Sequence, residues 1–290
     1  SLGDASLRRA GPEPGSPYFI SIDAIEDPAS FWSREFGGRV RLGQAAAGGS
    51  DLSAPPGERG IHAEVGMGDG RFAIGQAKED PSAAFVGIEI PNPAQPEVRA
   101  LQAELRRNLA AERLPNLRVV LADAGKDFTR LFAAGQLASI FIFFPYTDDF
   151  VAGYLRPDDL ALWGNFVTRL GAGNMLHLVT DSREYGAIVL KTWSGLSSLG
   201  GSRLLPLSAM PPRFPRYFAS PVTEHVTEAV AYLVLTAHSL GEIRRIRLKD
   251  GTFMDLPLPA PVARDLDRIT DEPASTEAAL EELGRGLNRA

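Results

Sequence analysis

Between Ile61 and Ser194, short apolar runs alternate with segments whose apolar residues recur every three or four positions. The runs Ile61 to Val65, Ala84 to Ile90, Leu117 to Leu121, Ser139 to Phe144 and Asn174 to Thr180 have the length of strands. They are almost continuously apolar, as strands covered on both faces must be. The intervening pattern predicts helices over Arg71 to Glu79, Val98 to Glu112, Asp127 to Phe132, Pro157 to Leu170 and Glu184 to Ser194. In Val98 to Glu112 the residues Val98, Leu101, Leu105 and Leu109 form one stripe, with Arg and Glu opposite. Asp80-Pro81 and Pro115-Asn116 stop two of these helices, and Gly171-Ala172-Gly173 reads as a turn before the last strand. Strand and helix in alternation predict an open α/β fold, a mostly parallel sheet with helices on both faces.

The flanks are less regular. Ser1 to Ser16 reads as a tail rich in Gly, Pro and Ser, and Tyr18 to Ile25 as a short strand. Asp27-Pro28 marks a helix start, Asp27 at the cap and Pro28 in the first turn. Phe31, Trp32 and Phe36 cluster there, either sealing an N-terminal lid onto the domain or lining the pocket of a flat substrate. Gln44 to Gly60 is a linker or lid hinge, with Ala45 to Pro56 expected to be a mobile cover. Ile90 to Glu97 holds three prolines and is expected to be a loop. Gly195 to Ser220 is rich in Gly, Ser and Pro, with Arg213 and Arg216 its basic groups. Order resumes over Thr223 to His238, Leu240 to Leu248 reads as a last strand or an extension, and Asp250 to Pro261 is turn-rich. Asp265 to Leu287 is acidic, helical in pattern and a candidate dimer contact. The expected division is a tail and lid over 1–60, a catalytic domain over 61–248 and a C-terminal extension over 249–290.

Composition narrows the picture in three respects. A chain of 290 residues with 44% hydrophobic and 23% charged residues can bury a real core. A formal charge of -6 argues against a general polyanion binder, because nucleic-acid affinity leans on phosphate neutralisation. Cysteine is absent and the four histidines are scattered, so thiolate chemistry is excluded and a zinc site is not expected. No apolar run reaches membrane-spanning length and Ser1 to Gly15 lacks a signal-peptide core, so a cytoplasmic protein without a membrane partner is expected.

The candidate chemistry begins at Glu64. Gly66, Gly68 and Gly70 follow at a spacing of two, and Glu89 ends the next predicted strand 25 positions after Glu64. Strand, glycine turn, helix, strand and acid together let backbone approach a nucleotide-like cofactor while the acid holds its ribose. Phe72 and Ala73 stand where a dinucleotide fingerprint has its helix-facing glycine. The turn therefore suits a cofactor lacking a pyrophosphate, such as S-adenosylmethionine. Glu64 either faces a methionine amino group or orients and caps the turn. Asp123, with Ala124, either brackets an adenine amino group or caps the helix that follows. Past the central strand, Phe144-Pro145-Tyr146-Thr147-Asp148-Asp149 reads either as an acidic turn or as an acceptor site. In the second reading Asp148 and Asp149 position a nitrogen and Tyr146 stacks or donates. Thr180-Asp181-Ser182 brings another acid to the same sheet edge. His177 reads as a packed histidine, and His225 as the better candidate for substrate contact.

With these motifs on the page, the chain resembles the tRNA (guanine-N7-)-methyltransferase family. The resemblance is carried by AEVGMGDG (Ala63 to Gly70), FVGIEI (Phe85 to Ile90), NLRVVLADA (Asn116 to Ala124), FFP (Phe143 to Pro145), HLVTD (His177 to Asp181) and PVT (Pro221 to Thr223). It implies a class I, Rossmann-like S-adenosylmethionine-dependent methyltransferase, with S-adenosylhomocysteine as product. It also implies that Glu64, Glu89 and Asp123 bind the cofactor, alongside Gly66, Gly68, Gly70, Ile90, Ala124 and Pro145. Asp181 is implied to lie near the target base. The chain departs from the family where FPDPW and a basic run should follow: it reads FPYTDDFVAGYLRPDD. Val226 also stands where the Glu of a closing T-x-x-E is expected. These departures lead to the expectation of a rebuilt acceptor half. The expected reaction is N-methylation of a small heteroaromatic metabolite, with Asp181 and then Asp148 as the acid. Tyr146, Asp149, Tyr154, Trp163, Thr223, Glu224 and His225 are expected around the acceptor. The alternative is a tRNA enzyme whose basic surface comes from Arg34, Arg39, Arg41, Arg213 and Arg216. A non-catalytic cofactor-binding subunit is the third reading.

Overall fold

A computed structural model describes residues 16–37, 60–91, 96–145, 160–196, 202–205, 231–236, 242–247 and 253–258. Its strands are β1 (Phe19–Ile20), β2 (Ile61–Val65), β3 (Phe85–Glu89), β4 (Leu117–Leu121), β5 (Leu137–Phe143), β6 (Leu170–Thr180), β7 (Ser202–Leu205), β8 (Ala231–Thr236), β9 (Glu242–Arg247) and β10 (Phe253–Leu258). The helices are α1 (Pro28–Glu35), α2 (Arg71–Glu79), α3 (Pro96–Ala110), α4 (Ala124–Leu131), α5 (Leu160–Arg169) and α6 (Arg183–Leu196). One sheet runs β1-β4-β3-β2-β5-β6-β8-β7. Its ladders are parallel from β1 to β6, and β8 lies antiparallel between β6 and β7. This is the class I methyltransferase arrangement, with β1 added at one edge. Strand order reverses at β2, which has β3 on one side and β5 on the other. Open α/β sheets place their clefts at such a point, beyond the carboxyl ends of the strands.

Period-two alternation along the strands sorts the core onto two faces. Ile61, Ala63, Val65, Val86, Ile88, Val120, Ile140 and Ile142 meet the side chains of α1, α4, α5 and α6. Phe85, Leu117 and Val119 face the other way, against Ala73, Ile74 and Ala77 of α2 and Leu105 and Leu109 of α3. Asn116 fixes the second face to the sheet. Buried just before β4, its Nδ2 donates to the carbonyls of Ala77, Asp80 and Ala83 at 3.0–3.1 Å. It thereby closes the α2–β3 turn.

The expected helix start at Asp27 is present, with the Asp27 side chain accepting from Ala29 and Ser30. Trp32 decides between the two readings of the aromatic cluster. It is fully buried, stacks on Phe36 and Phe132, and its Nε1 donates to the Leu131 carbonyl at 2.6 Å. The cluster is a seal onto α4, not a pocket wall.

Several boundaries differ from the sequence reading. Tyr18 to Ile25 is a two-residue strand followed by a 3-10 turn over Ile22–Ala24. Gly171-Ala172-Gly173 lies within β6: between Leu137↔Leu170 and Ser139↔Met175, β5 advances by two residues while β6 advances by five. The glycines make a bulge, and Asn174 Nδ2 bridges it by donating to the Leu137 carbonyl at 2.9 Å. β7 arises inside the Gly/Ser/Pro-rich stretch because β8 offers it an open edge. Leu240 to Leu248 does hold a strand, β9, but it pairs with β10 in a separate hairpin that lies against α5. The expected tail over Ser1 to Ser16, except Ser16 itself, the cover over Ala45 to Pro56 and the helix over Asp265 to Leu287 fall outside the described residues. Among the described residues no helix is long and apolar enough to cross a membrane.

Replacing Trp32 by Ala should cost about 3–5 kcal/mol of stability in urea unfolding, the range for emptying a buried aromatic site. Trp32→Phe keeps a smaller aromatic ring but deprives the Leu131 carbonyl of its donor, and should cost about 1–3 kcal/mol. Neither change should weaken ligand binding in the folded protein. A selective loss of ligand affinity would place Trp32 at the pocket after all.

Candidate functional site

β2 ends at Val65, and the next five residues fold back over β3. The Gly66 and Met67 amides both donate to the Ile88 carbonyl, at 2.9 and 3.2 Å. Gly66, Gly68 and Gly70 all have positive φ, at 72°, 56° and 78°, so the turn requires glycine at each. Met67 turns inward onto β3, where a Cβ on Gly87 would lie 2.2 Å from its sulfur. Gly87 is glycine because Met67 occupies its side-chain space.

Two buried carboxylates hold this turn. Glu64 Oε2 accepts from the Ala73 amide at 3.0 Å, in the first turn of α2, where helix amides have no internal partner. Glu64 therefore orients and caps the turn, one of the readings open in sequence. Burial pushes its carboxyl well above the usual range, against the Ala73 bond, and the charges of Asp69 and Glu89 add to the effect. Glu89 Oε2 accepts from the Gly68 amide at 2.8 Å, and its Oε1 accepts from the Ile90 amide at 2.9 Å. Burial raises Glu89 from 4.5 to about 7, while its two amide bonds oppose the rise. Asp69 accepts from the Arg71 amide at 3.2 Å and pairs with Arg71 Nε at 3.1 Å.

The sequence reading missed two residues on α3. Gln102 is buried and its Nε2 donates to the Ile90 carbonyl, while Asn108 Nδ2 donates to the Asp69 carbonyl at 2.9 Å. A signal was there: Gln102 and Asn108 stand at helical spacing within the apolar stripe of Val98, Leu101, Leu105 and Leu109. Amide side chains on a buried stripe need partners.

The remaining candidates separate. Asp123 caps α4, accepting from the Gly125 amide at 3.0 Å and pairing with Lys126 at 2.9 Å. Ala124 is buried at the start of that helix. Phe144 leaves β5 with φ 49°, unusual for a residue with a side chain, and its amide donates to the Val179 carbonyl at 2.8 Å. Pro145 follows it, buried. Asp181 stands just past the end of β6, next to Ser182, whose hydroxyl accepts from the Tyr185 amide at 3.1 Å in α6. His177 is buried and stacks on Phe141 at 5.0 Å, a packed histidine as expected. Trp163, expected around the acceptor, is corrected: it is fully buried in the core, edge-on to Phe166 and Trp193, because α5 turns it inward. Tyr146, Asp148, Asp149, Tyr154, Thr223, Glu224 and His225 lie outside the described residues.

This donor set fits the S-adenosylmethionine expected from sequence. The site offers a glycine turn on which a Cβ at Gly68 would meet nothing nearer than 3.9 Å. It also offers buried carboxyls, at Glu64 and Glu89, held above their usual range until a cation or a hydroxyl donor reaches them. A ligand carrying a sulfonium, an ammonium and ribose hydroxyls answers both features. Among the described residues no cluster of His, Asp or Glu could hold a metal ion.

Residues 58–147 match a family model described as "Putative methyltransferase". Among curated relatives, the tRNA (guanine-N(7)-)-methyltransferase of Anaeromyxobacter dehalogenans is 42% identical over 97 residues, 33% of this chain and 45% of its own length. That of Geobacillus thermodenitrificans is 35% identical over 132 residues, 44% of this chain and 56% of its own length. Across six of its curated relatives the matched stretch spans between 29% and 62% of their own length. Among solved structures, the antibiotic-resistance methyltransferase Kmr aligns with TM-score 0.42 at 18% identity, covering 70% of this chain and 99% of that one. The resemblance drawn from the sequence motifs is thus supported where those motifs are densest.

Glu89 gives the site a pH signature. Its folded value of about 7 lies above its ordinary 4.5, so the folded state holds the proton more tightly. Its contribution to stability is present below about pH 4.5 and is lost as pH rises through about 7. A ligand that donates hydroxyls to this carboxylate prefers the ionised form, so affinity should rise over the same window and level off above it. Calorimetric titration with S-adenosylhomocysteine from pH 5.5 to 8.5 checks this against Glu89→Gln, which should show a flatter profile. Equal pH profiles for the two proteins would remove Glu89 from the ligand.

Proposed function

We propose that this chain, related to tRNA (guanine-N7-)-methyltransferases over its glycine turn and the strands around it, is an S-adenosylmethionine-dependent methyltransferase. Its acceptor is a ring nitrogen of a base in RNA, with N7 of a tRNA guanine the first candidate. The observation that carries the reading is the pair of buried carboxylates on the amides of the glycine turn and of the helix it opens, at the point where strand order reverses.

The expectation of a small heteroaromatic metabolite as partner, with tRNA the lesser candidate, is corrected. The curated relatives at 29–42% identity are named tRNA (guanine-N(7)-)-methyltransferases. The expectation rested on the basic run missing after Pro145. One loop's charge is only part of phosphate affinity, which sums over every cation along the contact.

When bound, the cofactor supplies a methyl group on a positively charged sulfur that an unprotonated ring nitrogen can attack. The chain's part is alignment and exclusion of water. Glu89 holds the nucleoside end through ribose, and the Gly66–Gly70 turn brings backbone close to the amino-acid end. Phe144 and Pro145 bound the cleft from the end of β5. Asp181, at the end of β6, orients the base by accepting from its amino or imino hydrogens, as a positioned carboxylate does in base recognition.

A transfer assay with methyl-labelled cofactor tests this on bulk unmodified tRNA, in parallel with free purines and other small heterocycles. Label recovered as 7-methylguanine in tRNA is the expected result; turnover confined to free heterocycles would overturn it. Asp181→Asn should lower turnover about 100-fold, the scale of a lost acid–base or orienting group. Its cofactor affinity should not change. An undiminished rate would remove Asp181 from the acceptor site.

A further inference from the structure

The two loops that form the cleft have their amides held from the sheet. Glu89 takes the amides of Gly68 in the turn and Ile90 after β3, and Glu64 takes that of Ala73 in the helix that the turn opens. One carbonyl of each loop is held by a single helix. Gln102 donates to the Ile90 carbonyl and Asn108 to the Asp69 carbonyl. Between these bonds α3 presents two leucines to the same turn. Leu105 Cδ1 lies 2.4 Å from where a Cβ on Gly70 would stand, and Leu101 Cδ1 lies 3.9 Å from that of Gly68. An apolar residue at 102 would simply extend the stripe, so the carboxamide there answers the loop carbonyl.

We propose that α3 sets the separation of the two loops, with Gln102 positioning the nucleoside side of the cleft and Asn108 its amino-acid side. Both are positioning residues, acting through Ile90 and Asp69. The two side chains are six positions apart, which an α-helix converts to about 9 Å along its axis. One element therefore holds both carbonyls. The inference rests on the methyl-donor reading of the cleft.

The division of labour makes it testable by binding alone. S-adenosylhomocysteine spans both loops, whereas 5′-methylthioadenosine shares the thioether nucleoside and lacks the amino-acid arm. Titration calorimetry on the full chain compares Gln102→Met and Asn108→Leu with the unaltered protein. Gln102→Met should weaken both ligands about tenfold, the consequence of one lost buried hydrogen bond. Asn108→Leu should weaken S-adenosylhomocysteine by a similar factor and leave methylthioadenosine within about twofold. If either apolar variant folds poorly, Gln102→Glu and Asn108→Asp keep the shape, remove the donor and carry the same expectation. Equal losses for both ligands in both variants, or no loss in either, overturn the assignment while leaving the methyl-donor reading intact. Failure of the unaltered chain to bind S-adenosylhomocysteine overturns the methyl-donor reading, and this inference with it.

Discussion

Two carboxylates buried under a glycine turn are the constraint on which the rest of this fold depends. Glu64 and Glu89 end adjacent parallel strands, and each accepts from an amide of the turn or of the helix it opens. Burying a carboxyl is unfavourable unless it is hydrogen-bonded, and both groups stand above their ordinary range because burial outweighs the bonds they receive. That residual cost is tolerable in a binding site. A ligand that completed the hydrogen bonding or brought a positive charge would remove it, and the binding energy would include that relief.

The turn itself satisfies several demands at once. Positive φ at three glycines carries the chain back over β3, and the missing side chain of Gly87 leaves room for the Met67 thioether. The Ile88 carbonyl accepts from both Gly66 and Met67, so the turn is tied to the neighbouring strand as well as to its own. α3 completes the enclosure from outside. Backbone placed this way is rigid before any ligand arrives, which reduces the ordering cost of binding.

The acceptor side is built differently. In the proposed function it draws on strand ends farther along the sheet, where Phe144 leaves β5 in a left-handed conformation and Asp181 follows the end of β6. The FPYTDD segment, where the chain departs most from the tRNA (guanine-N7-)-methyltransferase pattern, begins with that strained residue.

Sequence by itself determined the alternation, the parallel strands and the glycine turn with its two acids, because each is a local pattern. A strand covered on both faces is nearly continuously apolar, and a turn with positive φ favours glycine. It also placed Asp27 at its cap and His177 among packed rings. Only tertiary structure decided what these groups touch. Glu64 could face a ligand or cap α2 until the path of α2 brought Ala73 to it. Trp32 and Trp163 were apolar surface of either kind until α1 and α5 turned them into the core. Gly171-Ala172-Gly173 became a bulge because β5 held the strand on both sides of it, and β7 formed in a Gly/Ser/Pro-rich stretch because β8 presented an edge. Gln102 and Asn108 carried their signal in helical spacing, yet their partners, at Ile90 and Asp69, lie on loops that no local pattern connects to α3. Local propensity fixes backbone conformation over a few residues, whereas the partner of a buried polar group is set by chain segments that meet only when the sheet has formed.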